Sequence, residues 1–149
     1  MRIHSPAFQD SSTIPARHTQ FDADISPPLA WSDVPDGTVS FALIVEDPDV
    51  PAAAGVAVWI HWVAFNIPPT CREIPEAWTV EGASGIGTRG KSVYSGPKPP
   101  DREHRYFFRL YALNAMLSLA PGATRDELVE AMGGHVLAEA VLMGRVEPQ

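Results

Sequence analysis

The sequence predicts a single, mainly β domain over residues 1–149, and three observations lead to this prediction. The chain has 15 prolines and 11 glycines, too many for a protein built mainly of long helices. Three segments carry the apolar pattern of buried strands. A chain of 149 residues has the size of one domain and can bury a core without disulfides or metals.

The three strand segments cover residues 38–46, 58–66 and 105–113. The first is apolar on both faces, so we expect it to be central. The second is rich in β-branched and aromatic residues and ends before Pro68 and Pro69, which cannot continue a ladder. The third alternates apolar residues with arginines, so we expect it to be covered on one side only.

Helix signals appear only near the C-terminus. Thr124 and Glu127 form a capping pattern, and the glycines at 133–134 should end that helix. Residues 135–142 form either a second short helix or part of a final strand that reaches Val146, and periodicity does not separate these alternatives. Together, the strand and helix signals predict a β-sandwich-like domain with two short helices at the C-terminus.

Composition limits the classes of partner and compartment. The net charge of −7 argues against general nucleic-acid or anionic-membrane binding. No apolar run is long enough for a secretory signal or a membrane span. Cys71 is the only cysteine, so no disulfide forms within the chain and we expect a cytoplasmic protein.

Basic residues are concentrated in one part of this acidic chain. Six of the 11 lysines and arginines lie between Arg89 and Arg109. This local positive charge suits a small anion, and a solvated loop explains it equally well. Residues 67–100 are rich in proline and glycine and are expected to be a long loop, which in a compact domain is usually functional or indicates missed elements.

The segment DPDVP at residues 47–51 directly follows the first predicted strand. Its prolines hold the carboxylates of Asp47 and Asp49 in a stiff turn, at a strand end where functional groups are common. An Asx turn explains the motif without any ligand, and taken alone the motif favours that interpretation.

His61 lies inside the second predicted strand. A period of two places it on the face of Trp59, Val63 and Phe65. A single histidine on an apolar face is more often a core residue than a ligand-binding group.

His104 begins the third predicted strand, on the face of Tyr106. Before it, residues 94–100 have the sequence YSGPKPP, in which glycine and prolines could let backbone N–H groups face an anion. A proline-rich surface loop is the alternative.

Five segments, in this order and spacing, resemble the phosphatidylethanolamine-binding protein family, in particular its bacterial and archaeal branch, called Raf-kinase-inhibitor-like. They are DISPPLAW at 24–31, DPDVP at 47–51, WIHW at 59–62, YSGP at 94–97 and HRY at 104–106. The C-terminal GHVLA at 134–138 also matches that branch. The resemblance covers nearly the whole chain.

The resemblance implies a Greek-key β-sandwich with short peripheral C-terminal helices and a pocket for phosphate or a phosphorylated head group. An imidazolium and backbone N–H groups would hold the phosphate oxygens, while a carboxylate would pair with an ammonium or orient a histidine. The implied ligand-binding residues are Asp47, Asp49, Trp59, His61, Tyr94, Gly96, Pro97, His104 and Tyr106.

The chain departs from the family pattern at three places. Arg102 replaces a glycine, and Lys98 stands between two prolines, so we expect a more basic pocket rim. Residues 20–22, QFD, stand where a cysteine is often found. These departures bear on the identity of the ligand more than on the fold.

Three functions are compatible with the sequence. The resemblance implies a non-catalytic regulator or inhibitor of a protein such as a kinase or protease, without a cofactor or metal. The alternative is a hydrolase or metal-dependent enzyme that uses Asp47, Asp49, His61 and His104, although no G-x-S-x-G or H-E-x-x-H motif occurs. The third is a structural role, since relatives are often homodimers. The third strand's outer face, with Phe107 and Tyr111, would form that interface or lie beneath the C-terminal helices.

Overall fold

The computed structural model describes residues 1–149 and consists of two β-sheets and one α-helix. Two single-turn 3-10 helices, Ala16–His18 and Ala52–Ala54, lie in the connections. The elements are β1 (Arg2–His4), β2 (Ser12–Thr13), β3 (Leu29–Ser32), β4 (Ser40–Asp47), β5 (Trp59–Ile67), β6 (Glu73–Ile74), β7 (Ala83–Ser84), β8 (His104–Leu113), α1 (Arg125–Met132) and β9 (Val136–Val146).

The large sheet has the strand order β2-β9-β8-β4-β5-β7. The three predicted strands are β4, β5 and β8, and their ends lie within two residues of the prediction. All eight residues of β4 are buried, because β4 is apolar on both faces and pairs with a neighbour on each side. The chain visits the small sheet between β5 and β8, as in a Greek-key winding.

The small sheet, in the order β1-β3-β6, covers one face of the large sheet. Leu29 and Trp31 of the small sheet share one apolar core with Phe41, Phe108 and Leu142 of the large sheet. The protein is therefore a mainly β sandwich, and the predicted fold class is confirmed.

The opposite face of the large sheet is covered by α1 and the chain that leads into it. Leu128 and Met132 of α1 form a second apolar core with Ile44, Val63 and Phe65. The helix begins as predicted, since both hydrogen bonds of the capping box are present. No helix of the chain has the length and apolar character needed to cross a membrane.

The expectation of a second C-terminal helix is wrong, and the alternative of a final strand is correct. Residues 136–146 form β9, which pairs with β8 from His104 to Leu113. Ala140, Leu142 and Val146 point into the core, whereas intervening side chains such as Val141 are exposed. This alternation with a period of two suits a strand covered on one face.

Candidate functional site

A cavity of about 330 Å³ lies at one end of the large sheet. Strand β4 is antiparallel to both of its neighbours, so the end of β4 at Asp47 lies beside the start of β5 and the start of β8. This topology brings together motifs that are far apart in the sequence. The predicted site residues that line the cavity are Asp47, Trp59, His61, His104 and Tyr106.

His61 lies at an irregularity in strand β5. Val45 pairs with Trp62 and Glu46 pairs with Ile60, so His61 is an extra residue in the ladder, as in a β-bulge. The predicted position of His61 on the face of Val63 and Phe65 is therefore wrong. The bulge turns the imidazole to the opposite face, where its ring lies 5.3 Å from that of Tyr106.

The imidazole of His61 is buried, and one of its nitrogens remains free. Nδ1 donates to the carbonyl oxygen of Ser95 at 2.5 Å, whereas Nε2 has no partner in the protein and keeps contact with solvent in the cavity. Burial lowers the pKa of His61. The ring is thus neutral at neutral pH, and its Nε2 is a hydrogen-bond acceptor. When the ring is protonated on binding an anion, Nε2 becomes a donor.

His104 is held between two carboxylates. Its Nδ1 lies 2.7 Å from Oδ2 of Asp47, and its Nε2 lies 2.6 Å from Oδ1 of Asp101. The hydrogen bond to His104 lowers the pKa of Asp101. Because both nitrogens already have partners, His104 acts as a structural link between the end of β4 and the loop before β8.

Asp47 forms the Asx turn that the proline motif suggested. Its Oδ1 accepts from the backbone N–H of Asp49 at 2.7 Å, and its other oxygen is bonded to His104. The residue is 4% exposed. Asp47 therefore has a partner on each carboxylate oxygen, and the turn and the histidine are joined through it.

Asp49 points away from the cavity and does not line it. Its carboxylate accepts two hydrogen bonds from the guanidinium of Arg105, at 2.8 and 2.9 Å, and one from the backbone N–H of Arg105. The Arg105 hydrogen bonds hold the pKa of Asp49 at about 2. Asp49 thus fixes the turn to strand β8.

Tyr106 forms the floor between the two histidines. It is 1% exposed, and its ring stacks with His104 at a centroid distance of 6.4 Å. Its hydroxyl has no partner in the protein and is not enclosed, so it is free to bond a ligand in the cavity. Burial raises the pKa of Tyr106, which keeps the hydroxyl protonated as a donor.

Tyr94, Gly96 and Pro97 lie behind the cavity and do not line it. The Tyr94 hydroxyl donates to the carbonyl oxygen of His18 at 2.6 Å, and the N–H of Gly96 donates to Asp24 at 2.7 Å. A Cβ at Gly96 would lie 2.6 Å from this carboxylate, so only glycine fits. These residues hold the loop that positions the Ser95 carbonyl for His61.

Three further polar residues line the cavity: Gln20, Arg89 and Lys98. Gln20 belongs to residues 20–22, where the family often has a cysteine. Arg89 and Lys98 belong to the basic part of the chain between Arg89 and Arg109. Nη1 of Arg89 donates to Oε1 of Gln20 at 3.0 Å. Lys98 lines the cavity as expected, whereas Arg102 does not and instead donates to the Asp49 carbonyl at 3.3 Å.

The remaining lining of the cavity is mostly apolar. The turn after β4 and the loop before β8 contribute Val50, Pro51, Ala54, Pro99 and Pro100. The volume is at the lower end of the range for small-molecule sites, roughly 300–1,000 Å³. No group of three or more His, Cys, Asp or Glu is arranged to hold a metal ion.

A second cavity, of about 420 Å³, lies on the opposite face beside the start of α1. Its walls include Val56, Val58 and Ile60, and it contains none of the ligand-binding residues that the family resemblance implied. The first cavity is therefore the candidate functional site.

The fold and the cavity define a class of β-sandwich proteins that offer a small, partly apolar site at the strand ends. Within this class, the chain belongs to the phosphatidylethanolamine-binding protein family, whose family model matches residues 4–147. This confirms the family resemblance seen in the sequence motifs.

Relatives match over the full length of the chain. A UPF0098 protein of Chlamydia pneumoniae is 46% identical to this chain, and the alignment covers 99% of both proteins. A UPF0098 protein of Methanothermobacter thermautotrophicus is 47% identical, and the alignment covers 97% of both. A solved phosphatidylethanolamine-binding protein homolog of Chlamydia trachomatis is 42% identical with a TM-score of 0.96, covering 99% of this chain and 97% of that one. E. coli YbcL, described as a member of the mammalian PEBP family, is 26% identical with a TM-score of 0.90, covering 99% and 98%.

Proposed function

We propose that the protein binds a small anion, phosphate or a phosphorylated group, in the first cavity and acts as a non-catalytic regulator or inhibitor of a protein partner. One observation carries the binding proposal. The free polar groups of the cavity are cations or potential donors, whereas its single carboxylate already has partners on both oxygens.

The free groups suit the oxygens of an anion. Arg89 and Lys98 supply positive charge at the cavity, and the Tyr106 hydroxyl supplies a donor at its floor. Hydrogen bonds from charged donors to phosphate are shorter and stronger than those between neutral groups. The free Nε2 of His61 adds a further donor once the ring takes up a proton.

The lining of the cavity supports binding rather than hydrolysis. None of the lining residues is a serine, threonine or cysteine that would act as a nucleophile. Both nitrogens of His104 are bonded to carboxylates, so this ring lacks a free nitrogen for general-base catalysis. The enzyme alternative would have to depend on His61 and a bound water.

The regulatory part of the proposal rests on family membership. The names of the relatives reported above state no enzymatic activity. We propose a cytoplasmic protein target, a kinase or a protease, that meets the cavity rim. Affinity capture with the wild-type chain, repeated with 50 mM phosphate as competitor, should yield a partner whose retention depends on the occupancy of the cavity.

The binding proposal is tested with His61 variants. His61→Ala should weaken phosphate binding about tenfold or more, measured by isothermal titration calorimetry. His61→Asn retains a donor near Nδ1 for the Ser95 carbonyl but lacks Nε2, and should weaken binding in the same way with less effect on stability.

His4→Ala is the matched control, because His4 is exposed on β1 and forms no side-chain hydrogen bond. Unchanged affinity in both His61 variants, with a folded protein, would contradict the assignment of the site.

A homodimer is also proposed, as the family resemblance implied. Phe107 on the outer face of β8 is not a free apolar surface, since the guanidinium groups of Arg105 and Arg109 lie 5.5 and 5.0 Å from the centre of its ring. Tyr111 packs against the second core beside α1. Light scattering of the full chain measures the oligomeric state, and a monomer would contradict this part of the proposal.

A further inference from the structure

We infer that Gln20 is a positioning residue for anion binding, which holds the guanidinium of Arg89 at the cavity without cancelling its charge. The inference rests on the proposed anion binding and states how the site fixes one of the cations that line it. Three observations lead to it: the bonds that Gln20 forms, the neutral partners of Arg89, and the link from Ser95 to His61.

Arg89 has a long side chain on an exposed turn. The turn at residues 87–90 is closed by the N–H of Gly90, which donates to the carbonyl oxygen of Gly87 at 2.9 Å. An arginine without a partner samples many rotamers and loses that freedom when it binds a ligand. A residue that fixes the guanidinium beforehand therefore strengthens binding.

Gln20 is fixed between Arg89 and the loop at residues 94–97. Its Nε2 donates to the carbonyl oxygen of Gly96 at 2.8 Å, and its backbone N–H donates to the carbonyl oxygen of Pro97 at 3.0 Å. Because a carbonyl oxygen only accepts, the amide turns its Oε1 towards Arg89, whose Nη1 donates to it at 3.0 Å. The side chain of Gln20 is thus held on one side and holds Arg89 on the other.

The partners of the Arg89 guanidinium are neutral. Its Nη1 also donates to Oγ of Ser95 at 3.2 Å, so an amide oxygen and a hydroxyl oxygen share this nitrogen. Arg105, in contrast, is paired with the carboxylate of Asp49, which compensates its charge. Arg89 keeps its charge and the donors at Nε and Nη2 for an anion.

Ser95 joins this arrangement to His61. Ser95 is 5% exposed and exchanges two hydrogen bonds with His61. Its N–H donates to the carbonyl oxygen of His61 at 3.1 Å, and its carbonyl oxygen accepts from Nδ1 at 2.5 Å. Because the hydroxyl of the same residue accepts from Arg89, one buried serine fixes both anion-binding groups before a ligand arrives.

A double-mutant cycle tests the positioning role. Arg89→Met should weaken the binding of inorganic phosphate about tenfold and Gln20→Met about fivefold, measured by isothermal titration calorimetry at one pH and ionic strength. In the Arg89→Met background, Gln20→Met should have no further effect, because Gln20 acts through Arg89. An unchanged affinity in Gln20→Met, or an equal loss in both backgrounds, would overturn the inference.

Gln20→Glu separates the holding of Arg89 from its charge. The carboxylate keeps an acceptor for Nη1 but compensates the guanidinium, so this variant should bind phosphate more weakly than Gln20→Met. Binding as tight as in wild type would show that the ligand does not use the charge of Arg89, and would also overturn the inference. Gln9→Met and Gln9→Glu are the matched controls at an exposed glutamine whose side chain forms no hydrogen bond, and should leave the affinity unchanged.

Ser95→Ala extends the test to a variant that keeps the amide of Gln20. It removes one acceptor of Arg89 and leaves both backbone groups that bond to His61. It should weaken phosphate binding about threefold, and only while Arg89 is present. This variant decides the question if the Gln20 variants do not fold, and an equal effect in the Arg89→Met background would contradict the coupling.

Failure of the inference and failure of the proposed function give different results. A wild-type chain that does not bind phosphate would contradict the proposed function itself. Phosphate binding by wild type, with additive effects of Gln20 and Arg89, would overturn the positioning role and leave the proposed function intact.

Discussion

Asp49→Asn should lower the free energy of unfolding while it leaves phosphate affinity nearly unchanged. The carboxylate of Asp49 accepts three hydrogen bonds from Arg105, and these hold its pKa at about 2 instead of 3.8. That difference corresponds to about 2.5 kcal/mol. The Arg105 side chain is 51% exposed, so solvent screens the pair and we expect a loss of about 1–2 kcal/mol.

The pH dependence of this loss follows from the sign of the pKa change. Because the pKa of Asp49 is lower in the folded than in the unfolded chain, the stabilisation is present above about pH 4 and is lost as the pH falls towards 2. About half of it should remain at pH 3. Urea unfolding followed by tryptophan fluorescence, at pH 6 and at pH 3, measures the difference between wild type and variant.

Two results would refute this reasoning. If wild type and Asp49→Asn have the same unfolding free energy at pH 6, or differ as much at pH 3 as at pH 6, the ion pair does not hold the turn. A large loss of phosphate affinity would show that Asp49 acts in the cavity. Asp36→Asn removes an exposed aspartate with no hydrogen bond to a side chain, and should change neither quantity.

Three further predictions concern the loop, the helix and the cavity. Gly96→Ala places a Cβ 2.6 Å from Asp24 and should lower the free energy of unfolding by about 1–3 kcal/mol, measured in thermal or urea unfolding. Gly133→Ala, whose Cβ would have its nearest contact at 3.2 Å, should lower it less, and equal losses would contradict the close approach at Gly96. Thr124→Ala removes the capping box and should lower the free energy of unfolding in urea by about 1 kcal/mol, without changing the affinity for phosphate. A weakened affinity would show that α1 contributes to the site. Sulfate binding between pH 6 and pH 8 should take up a proton, because an anion favours protonation of the buried His61; calorimetry in two buffers of different ionisation enthalpy should show this uptake in wild type but not in His61→Asn.

The sequence was sufficient to predict three of the four long strands and the convergence of the distant motifs. Strands β4, β5 and β8 are long enough for their apolar patterns to be clear. The family resemblance indicated that Asp47, His61 and His104 approach one another.

The short strands had no such pattern. β2 and β7 have two residues each, so their pairing depends on where the rest of the chain places them. The small sheet is likewise built from strands of two to four residues. Strand β9 was ambiguous from sequence because the exposed Val136, Leu137 and Val141 mask the alternation of a strand with one covered face.

The candidate site was less predictable than the fold. The bulge at His61 reverses its face, and nothing in the local sequence signals the extra residue. Gln20 and Arg89 reach the cavity from loops with no periodic pattern, although the concentration of basic residues was a signal for Arg89. The pairing of Asp49 with Arg105 depends on the antiparallel register of β4 and β8, which sequence spacing alone does not provide.

Anomalous diffraction from a crystal soaked in tungstate tests the central claim most directly. Tungstate is a tetrahedral dianion that can be located without ambiguity. We expect one strong peak in the first cavity, within hydrogen-bond distance of Nε2 of His61 and beside Arg89 and Lys98. A peak elsewhere on the surface, with this cavity empty at a concentration that saturates binding in solution, would contradict the account.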